Sequence, residues 1–375
     1  MAVKLKYQWL GIAIPTFLIS FIGYVAHYFV LLNFASTSKQ VIFQFCLTMI
    51  WISYYLAIKT NPGKPPINYR PSETEWHNYC KKCNNFKPPR CHHCKTCKQC
   101  VLSMDHHCPW TMNCVGHNNF PHFVRFLFWV IVTTSYLLTL LIKRVCQLWY
   151  MRHMPYTQTY ITEIVALCIT TPMDAFVLIT ISILFIRCIY NQGFKGMTQI
   201  ESWEMDRLES LHYKKSLLPL LVDTLKGKMP QVQKNRHQEI NNLLSKRYVP
   251  FENIVNFPYD INVWTNLINI MGPWYMWLWP FAKPATDGVS FMKNELSEFE
   301  SDSSIEDILL SLPWPPDGTR HILTTESGVV ETIVDGGEQA MRERYTDPRD
   351  KLKRTSWYND WGEELSDFGV DTEVE

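Results

Sequence analysis

Residues 80–114 contain eight cysteines and four histidines. Cys-x2-Cys spacing lets two thiolates hold one metal from a tight turn, and it occurs here at 80/83, 91/94, 94/97 and 97/100. A single such pair is as easily chance or a redox couple; the density is what points to zinc. Two tetrahedral sites need eight ligands, so the twelve Cys and His leave a surplus, and spacing alone does not say which are spare. Pro88, Pro89 and the many polar residues leave little apolar core, so bound metal is expected to hold the segment together. A secreted disulfide framework fits poorly, because histidines stand among the cysteines and no cleavable signal is evident.

A spare cysteine beside histidine has a second chemistry. Cys108 follows Asp105-His106-His107 and precedes Pro109-Trp110. A free thiol is weakly ionised near neutral pH; an imidazole can take its proton, and a carboxylate can orient that imidazole. Those three roles are present within four residues. The competing reading makes Asp105 and His106 supports around a purely structural metal site.

The elements that must position this cluster are apolar. Residues 9–32 and 41–58 carry no charge, 123–142 carries Arg125 near one end, and 161–189 is interrupted by Glu163, Pro172 and Asp174. At ~1.5 Å per residue, runs of this length cross a ~30 Å hydrocarbon core. The expected fold is therefore an all-α polytopic membrane protein, with four transmembrane helices and a two-zinc Cys-rich domain between helices 2 and 3. Lys4 and Lys6 precede the first run, and nine Lys/Arg lie in 59–120, which places that domain and both termini in the cytosol. The 143–160 loop disagrees, because it carries Lys143, Arg144 and Arg152 on the side expected to be luminal. The third run is read as stopping at Lys143-Arg144, and the fourth could be re-entrant.

The domain boundaries follow: 1–58 for helices 1 and 2, 59–122 for the Cys-rich domain, 123–190 for helices 3 and 4, 191–294 for a membrane-proximal region and 295–375 for an acidic tail. Residues 1–294 hold 29 basic and 14 acidic side chains, whereas 295–375 hold 7 and 21. Residues 203–247 mix leucines such as Leu217, Leu221 and Leu225 with many Lys/Arg, as does a helix on an anionic membrane or an ordinary solvated amphipathic helix. The aromatics of 273–280 suit a membrane interface. Residues 297–307 read as a flexible acidic linker. The terminal Trp357–Gly369 stretch interleaves aromatics with acids and either docks or stays free.

The Asp105-His106-His107-Cys108 sequence, within a Cys-rich domain between the second and third of four spans, resembles the DHHC protein S-acyltransferases. The resemblance extends to Pro109-Trp110, Asn113-Cys114-Val115-Gly116, Asn119, Cys80-x2-Cys83, Lys87-Pro88-x-Arg90 and His93-Cys94. It implies transfer of a long-chain acyl group from palmitoyl-CoA to membrane-proximal protein cysteines, by a ping-pong route through a Cys108 thioester. It assigns one zinc to Cys80, Cys83, His93 and Cys100, and the other to Cys94, Cys97, His107 and Cys114. Cys91 and His92 are left over. His106 becomes the general base, Asp105 its orienting partner, and Trp110 a wall beside the bound acyl-CoA. The partners implied are the membrane, long-chain acyl-CoA and protein substrates; no nucleic acid is expected.

Two weaker marks lie further on. The family's Thr-Thr-x-Glu stands here as Thr198-Gln199-Ile200-Glu201, without the second threonine, and also reads as a helix capping box. Asn266–Gly272 is similar to a C-terminal Asn-containing element. At finer level, Trp314-Pro315-Pro316-Asp317 and Trp357-Tyr358-Asn359-Asp360-Trp361-Gly362 resemble the fungal endoplasmic-reticulum members. Competing readings are a non-enzymatic zinc-binding scaffold, a membrane RING-type ubiquitin ligase, which lacks its final Cys-x2-Cys pair here, and a metal transporter, which would want more ionisable groups in its spans.

Overall fold

The computed structural model describes residues 7–72, 74–153, 161–229, 236–298, 303–318, 349 and 352–373. Lys4, Lys6, the 143–160 loop after His153, residues 299–302 of the acidic stretch and Glu375 lie outside them. Four helices are long and apolar enough to cross a membrane: α1 (Leu10–Phe34), α2 (Thr37–Lys59), α3 (Phe120–Tyr150) and α4, which spans Ile161–Phe194. The third continues past Lys143-Arg144 to Tyr150, eight residues beyond the end read from hydropathy. The reason is a partner for the charge. Arg144 donates to Glu163 through Nε at 2.6 Å and Nη2 at 3.1 Å, and lies over the Phe34 ring. One basic residue of the anomalous loop and one acidic interruption of the fourth run thus neutralise each other between α3 and α4.

All four helices meet the Cys-rich domain at the same end of the bundle. A Cβ on Gly11, near the start of α1, would collide with the Pro109 carbonyl, so only glycine allows that approach. Near the end of α2 the Tyr54 hydroxyl donates to the Trp110 carbonyl at 2.7 Å. Phe123, in the first turn of α3, packs edge-on against His106. Gln192, at the end of α4, reaches Asp105. The fourth helix therefore runs the full depth of the bundle rather than turning back.

The Cys-rich domain departs from the all-α expectation. Among the described residues it holds three two-stranded antiparallel hairpins: β1 (Tyr79–Cys80) with β2 (Asn85–Phe86), β3 (His92–Cys94) with β4 (Gln99–Val101), and β5 (His106–Cys108) with β6 (Asn113–Val115). Asn84, Lys98 and Met112 take positive φ, as tight turns between such short strands demand. Strands of two or three residues give hydropathy no period to detect.

The chain then forms α5 (Gln199–Tyr213), α6 (Leu217–Lys228), α7 (His237–Ser245), α8 (Val263–Met271) and α9 (Ile305–Leu310). Leu217, Leu221, Val222 and Leu225 do not face a membrane or solvent. They are buried with Leu208, Ile240, Leu243, Ile308 and Leu309 in a second core. The acidic stretch supplies part of that core: Ser304 and Asp307 form a capping box, and Ile305, Ile308 and Leu309 point inward, so residues 303–307 are a helix start rather than a flexible linker. Trp274, Tyr275, Leu278, Trp279 and Phe281 stay exposed. Residues 357–371 dock: Trp357, Leu365, Phe368 and Val370 share a core with Cys94, Cys114 and Trp203.

Candidate active site and metal centres

Alternation along a strand decides which histidine does what. Successive side chains point to opposite faces. In β5, His107 pairs across the register with Cys114, while His106 and Cys108 point the other way. In β3, His93 pairs with Cys100, and the adjacent Cys94 turns to the opposite side. Ligand atoms of Cys80, Cys83, His93 and Cys100 gather within 4.8 Å of one another, and so do those of Cys94, Cys97, His107 and Cys114. These are the two sets the resemblance implied. Each set bridges two hairpins, and the alternation in β3 makes the sets interleave.

The geometry fits zinc. A tetrahedral ion with Zn–S ~2.3 Å and Zn–N ~2.0–2.1 Å separates its sulfur and nitrogen ligands by ~3.6 Å. His93 Nδ1 lies 3.4, 3.3 and 3.7 Å from Sγ of Cys80, Cys83 and Cys100. His107 Nδ1 lies 3.7, 3.4 and 3.7 Å from Sγ of Cys94, Cys97 and Cys114. Cys91 is buried against Cys80 and Cys100 but outside both sets.

On the other face of β5, His106 Nδ1 lies 2.8 Å from Asp105 Oδ2, and His106 also hydrogen-bonds the Cys108 thiol. Burial works against charge on all three groups, and their mutual contacts outweigh it. Burial would depress His106, yet its bonds to Asp105 and Cys108 hold it up at about 10. Burial would raise Cys108, yet the bond and charge of His106 bring it below an ordinary thiol. Burial would raise Asp105, yet His106, Gln199 and Gln192 hold it below the usual carboxylate range. The arrangement is a carboxyl group, an imidazole and a thiol in series, with the imidazole favouring loss of the thiol proton.

Cys108 opens onto a cavity of about 490 Å³ that runs down among the four helices. That lies within the ~300–1,000 Å³ of small-ligand sites. Trp110 lines its upper end, and Leu18, Leu47, Leu127, Val130 and Leu184 are among its apolar walls. Cys188 of α4 lines the same cavity as Asp105 and Cys108. Asp174 lies fourteen residues earlier on that helix, ~21 Å away along the axis. It lines the cavity too, is fully buried, and neither carboxyl oxygen has a hydrogen-bond partner among the described residues.

Several residues marked by the resemblance find partners here that the sequence did not assign. Asn113 Nδ2 donates to the carbonyls of Ile58 and Thr60, closing the end of α2, and Asn119 ties the Gly116 amide to the Cys114 carbonyl. Thr198 and Glu201 do form the capping box of α5. Glu201 also receives Arg90 through two bonds of 2.7 and 2.6 Å, and the Arg90 guanidinium stacks over Phe257, Tyr259 and Phe291. Asn266 donates to the Gly193 carbonyl and to Asp260, fastening α8 to the end of α4. Glu363 and Phe368 from the docked C-terminal segment also line the cavity, and Glu363 is held by Arg187 at 2.9 Å.

A family profile described as DHHC palmitoyltransferase matches residues 73–206. Palmitoyltransferase PFA4 of Kluyveromyces lactis is 63% identical over 377 residues, covering 100% of both chains. Its Saccharomyces cerevisiae counterpart is 53% identical over 378 residues, again covering 100% of both. Palmitoyltransferase pfa4 of Emericella nidulans is 30% identical over 430 residues, covering 97% of this chain and 92% of the relative.

Proposed function

This chain belongs to the DHHC palmitoyltransferases and is a protein S-palmitoyltransferase; from that premise we propose how its own residues perform the transfer. The observation that carries the reading is the Asp105–His106–Cys108 series at the head of an apolar cavity. The acyl chain of palmitoyl-CoA lies in the cavity, where each buried CH₂ is worth ~0.8 kcal/mol. That binding energy holds the thioester at Cys108. Cys108 passes its proton to His106 as its sulfur attacks the thioester carbonyl, the carbon–sulfur bond to coenzyme A breaks, and the departing thiolate takes that proton from His106. In the second half, a substrate cysteine gives its proton to His106 and its sulfur attacks the acyl group. Cys108 leaves as a thiolate, and the enzyme is restored. Asp105 keeps the imidazole oriented throughout, and Trp110 walls the thioester.

Two Zn²⁺ held by the two Cys/His sets supply no reacting group; they fix the hairpins, and through His107 and Cys114 they fix β5. The alternatives of a scaffold or a RING-type ligase are not favoured. Cys108→Ser is expected to abolish the hydroxylamine-sensitive label that purified protein acquires from labelled palmitoyl-CoA, with two zinc ions retained. Label persisting on that variant would overturn the assignment.

The finer reading places the enzyme in the endoplasmic reticulum, with the zinc domain and both termini cytosolic, where acyl-CoA is found. The orientation is supported by the excess of Lys/Arg in 59–120 and the meeting of all four helices with the zinc domain at one end, and the compartment by the similarity of Trp314-Pro315-Pro316-Asp317 to the fungal endoplasmic-reticulum members. A tag placed after Glu375 should be digested by protease added to sealed microsomes; a protected tag would reverse the orientation.

A further inference from the structure

The carboxylate that orients His106 must itself be held. Asp105 Oδ2 is committed to His106, so the other oxygen decides whether the side chain can turn. Oδ1 accepts two hydrogen bonds: one from the backbone N–H of Gln199 at 2.9 Å and one from the side-chain amide of Gln192 at 3.0 Å. Position 199 is where the Thr-Thr-x-Glu pattern loses its second threonine. Its glutamine side chain makes no hydrogen bond to Asp105 among the described residues; Gln199 Oε1 accepts from Asn191 Nδ2 at 3.2 Å. The only side-chain donor on Asp105 besides His106, among the described residues, comes from the last turn of α4.

The local backbone explains how α4 reaches that far. Tyr190–Phe194 is a π turn, a wider winding that shifts side chains relative to an α-helix. The turn is anchored on both sides: the Asn191 carbonyl accepts from Met197 N–H, and the Gly193 carbonyl accepts from Asn266. Gln192 and Asp105 are each only 5% exposed, so water cannot easily replace a lost amide.

We propose that Gln192 is a positioning residue for the acyl-transfer step, holding Asp105 in place of a hydroxyl at position 199. A threonine at 199 would carry its hydroxyl three bonds from the N–H that already touches Oδ1, so either residue can serve the same carboxylate oxygen. The proposal rests on the reading that Asp105 orients His106, and the test separates the two.

Gln192→Met keeps the side-chain bulk and removes the donor. Formation of the acyl-enzyme at saturating palmitoyl-CoA should slow by ~10–100-fold, the same order as the loss of a group that orients a metal ligand. KM for palmitoyl-CoA and the zinc content, two per chain, should not change. The double variant Gln192→Met/Gln199→Thr should recover most of the rate. An unchanged rate in Gln192→Met would overturn the proposal. So would a loss accompanied by lost zinc, or one that Gln199→Thr does not repair, since packing alone would behave that way. Asp105→Ala is the control on the underlying reading: if it leaves the rate intact, the role of Asp105 fails. If it slows the reaction while Gln192→Met does not, only the role of Gln192 fails.

Discussion

The zinc-held hairpins and the helix bundle build the two halves of one site by different means. The hairpins have strands of two or three residues, and their buried side chains are largely the metal ligands themselves. Remove the metal and little else fixes β5, where one register position separates a zinc ligand from the reacting pair. The bundle has helices of 23–34 residues packed over a large shared core, with the cavity as an interruption in it. Losing one contact there leaves the rest of that core in place. The metal-held half should therefore respond to substitution in an all-or-none way, and the packed half by degrees.

The sharpest break is at Cys114. Cys114→Ala should drop zinc from two ions to about one per chain and abolish autoacylation, because Cys114 faces His107 across β5–β6. Cys91→Ser, a buried neighbour outside both ligand sets, should keep both ions. Metal analysis beside the labelling assay checks both, and metal lost from Cys91→Ser would undo the ligand partition. The next effect is at His106, on the opposite face of the same strand. His106→Ala should keep both ions and slow acyl-enzyme formation ~10²–10⁴-fold, the usual span for proton-transfer assistance. Metal lost with His106→Ala but kept with His107→Ala would invert the two faces.

The smallest effect lies in the bundle. Asp174→Leu changes the far end of the cavity, not its head. Two methylenes denied burial there are worth ~1.6 kcal/mol, about tenfold. Transfer from stearoyl-CoA should fall by about that factor relative to myristoyl-CoA, while transfer from octanoyl-CoA, too short to reach Asp174, should hold. A uniform loss across all three chain lengths would show that the bundle is as intolerant as the hairpins.

The same division governs what the sequence revealed. Hydropathy exposed all four helices, because twenty apolar residues in a row have few other uses. It misplaced the end of α3, because Arg144 is neutralised by Glu163, a residue 19 positions away. The cysteines and histidines declared zinc and a nucleophile by type, yet their partition came from the family pattern; composition left it open. A strand reading of His106–Cys108 would have supplied the missing signal, since alternation alone puts His106 with Cys108 and His107 elsewhere. The leucines of α6 carried helical spacing, but spacing does not distinguish a membrane face from a core whose other wall, Ile308 and Leu309, comes some ninety residues later. Gln192 had no local signature at all: its partner Asp105 is 87 residues distant.

The docked C-terminal segment bears on how the enzyme is made. The backbone of Gly369 accepts from Lys95 N–H, Asp371 N–H donates to the His93 carbonyl, and Val370 bridges to Cys94, so the chain's end adds to the edge of the second hairpin. Gly369 sits so close to His107, with φ at +83°, that any side chain there would strike the zinc ligand. Translation delivers these residues after the membrane helices and the metal-binding hairpins have left the ribosome. The hairpins thus remain uncovered until residues 357–371 emerge, which leaves the metal a way in. The roof over the site is made long after the hairpins it covers, and a chain cut short before Trp357 would carry every reacting residue yet lack the wall that Glu363 and Phe368 give to the mouth of the cavity.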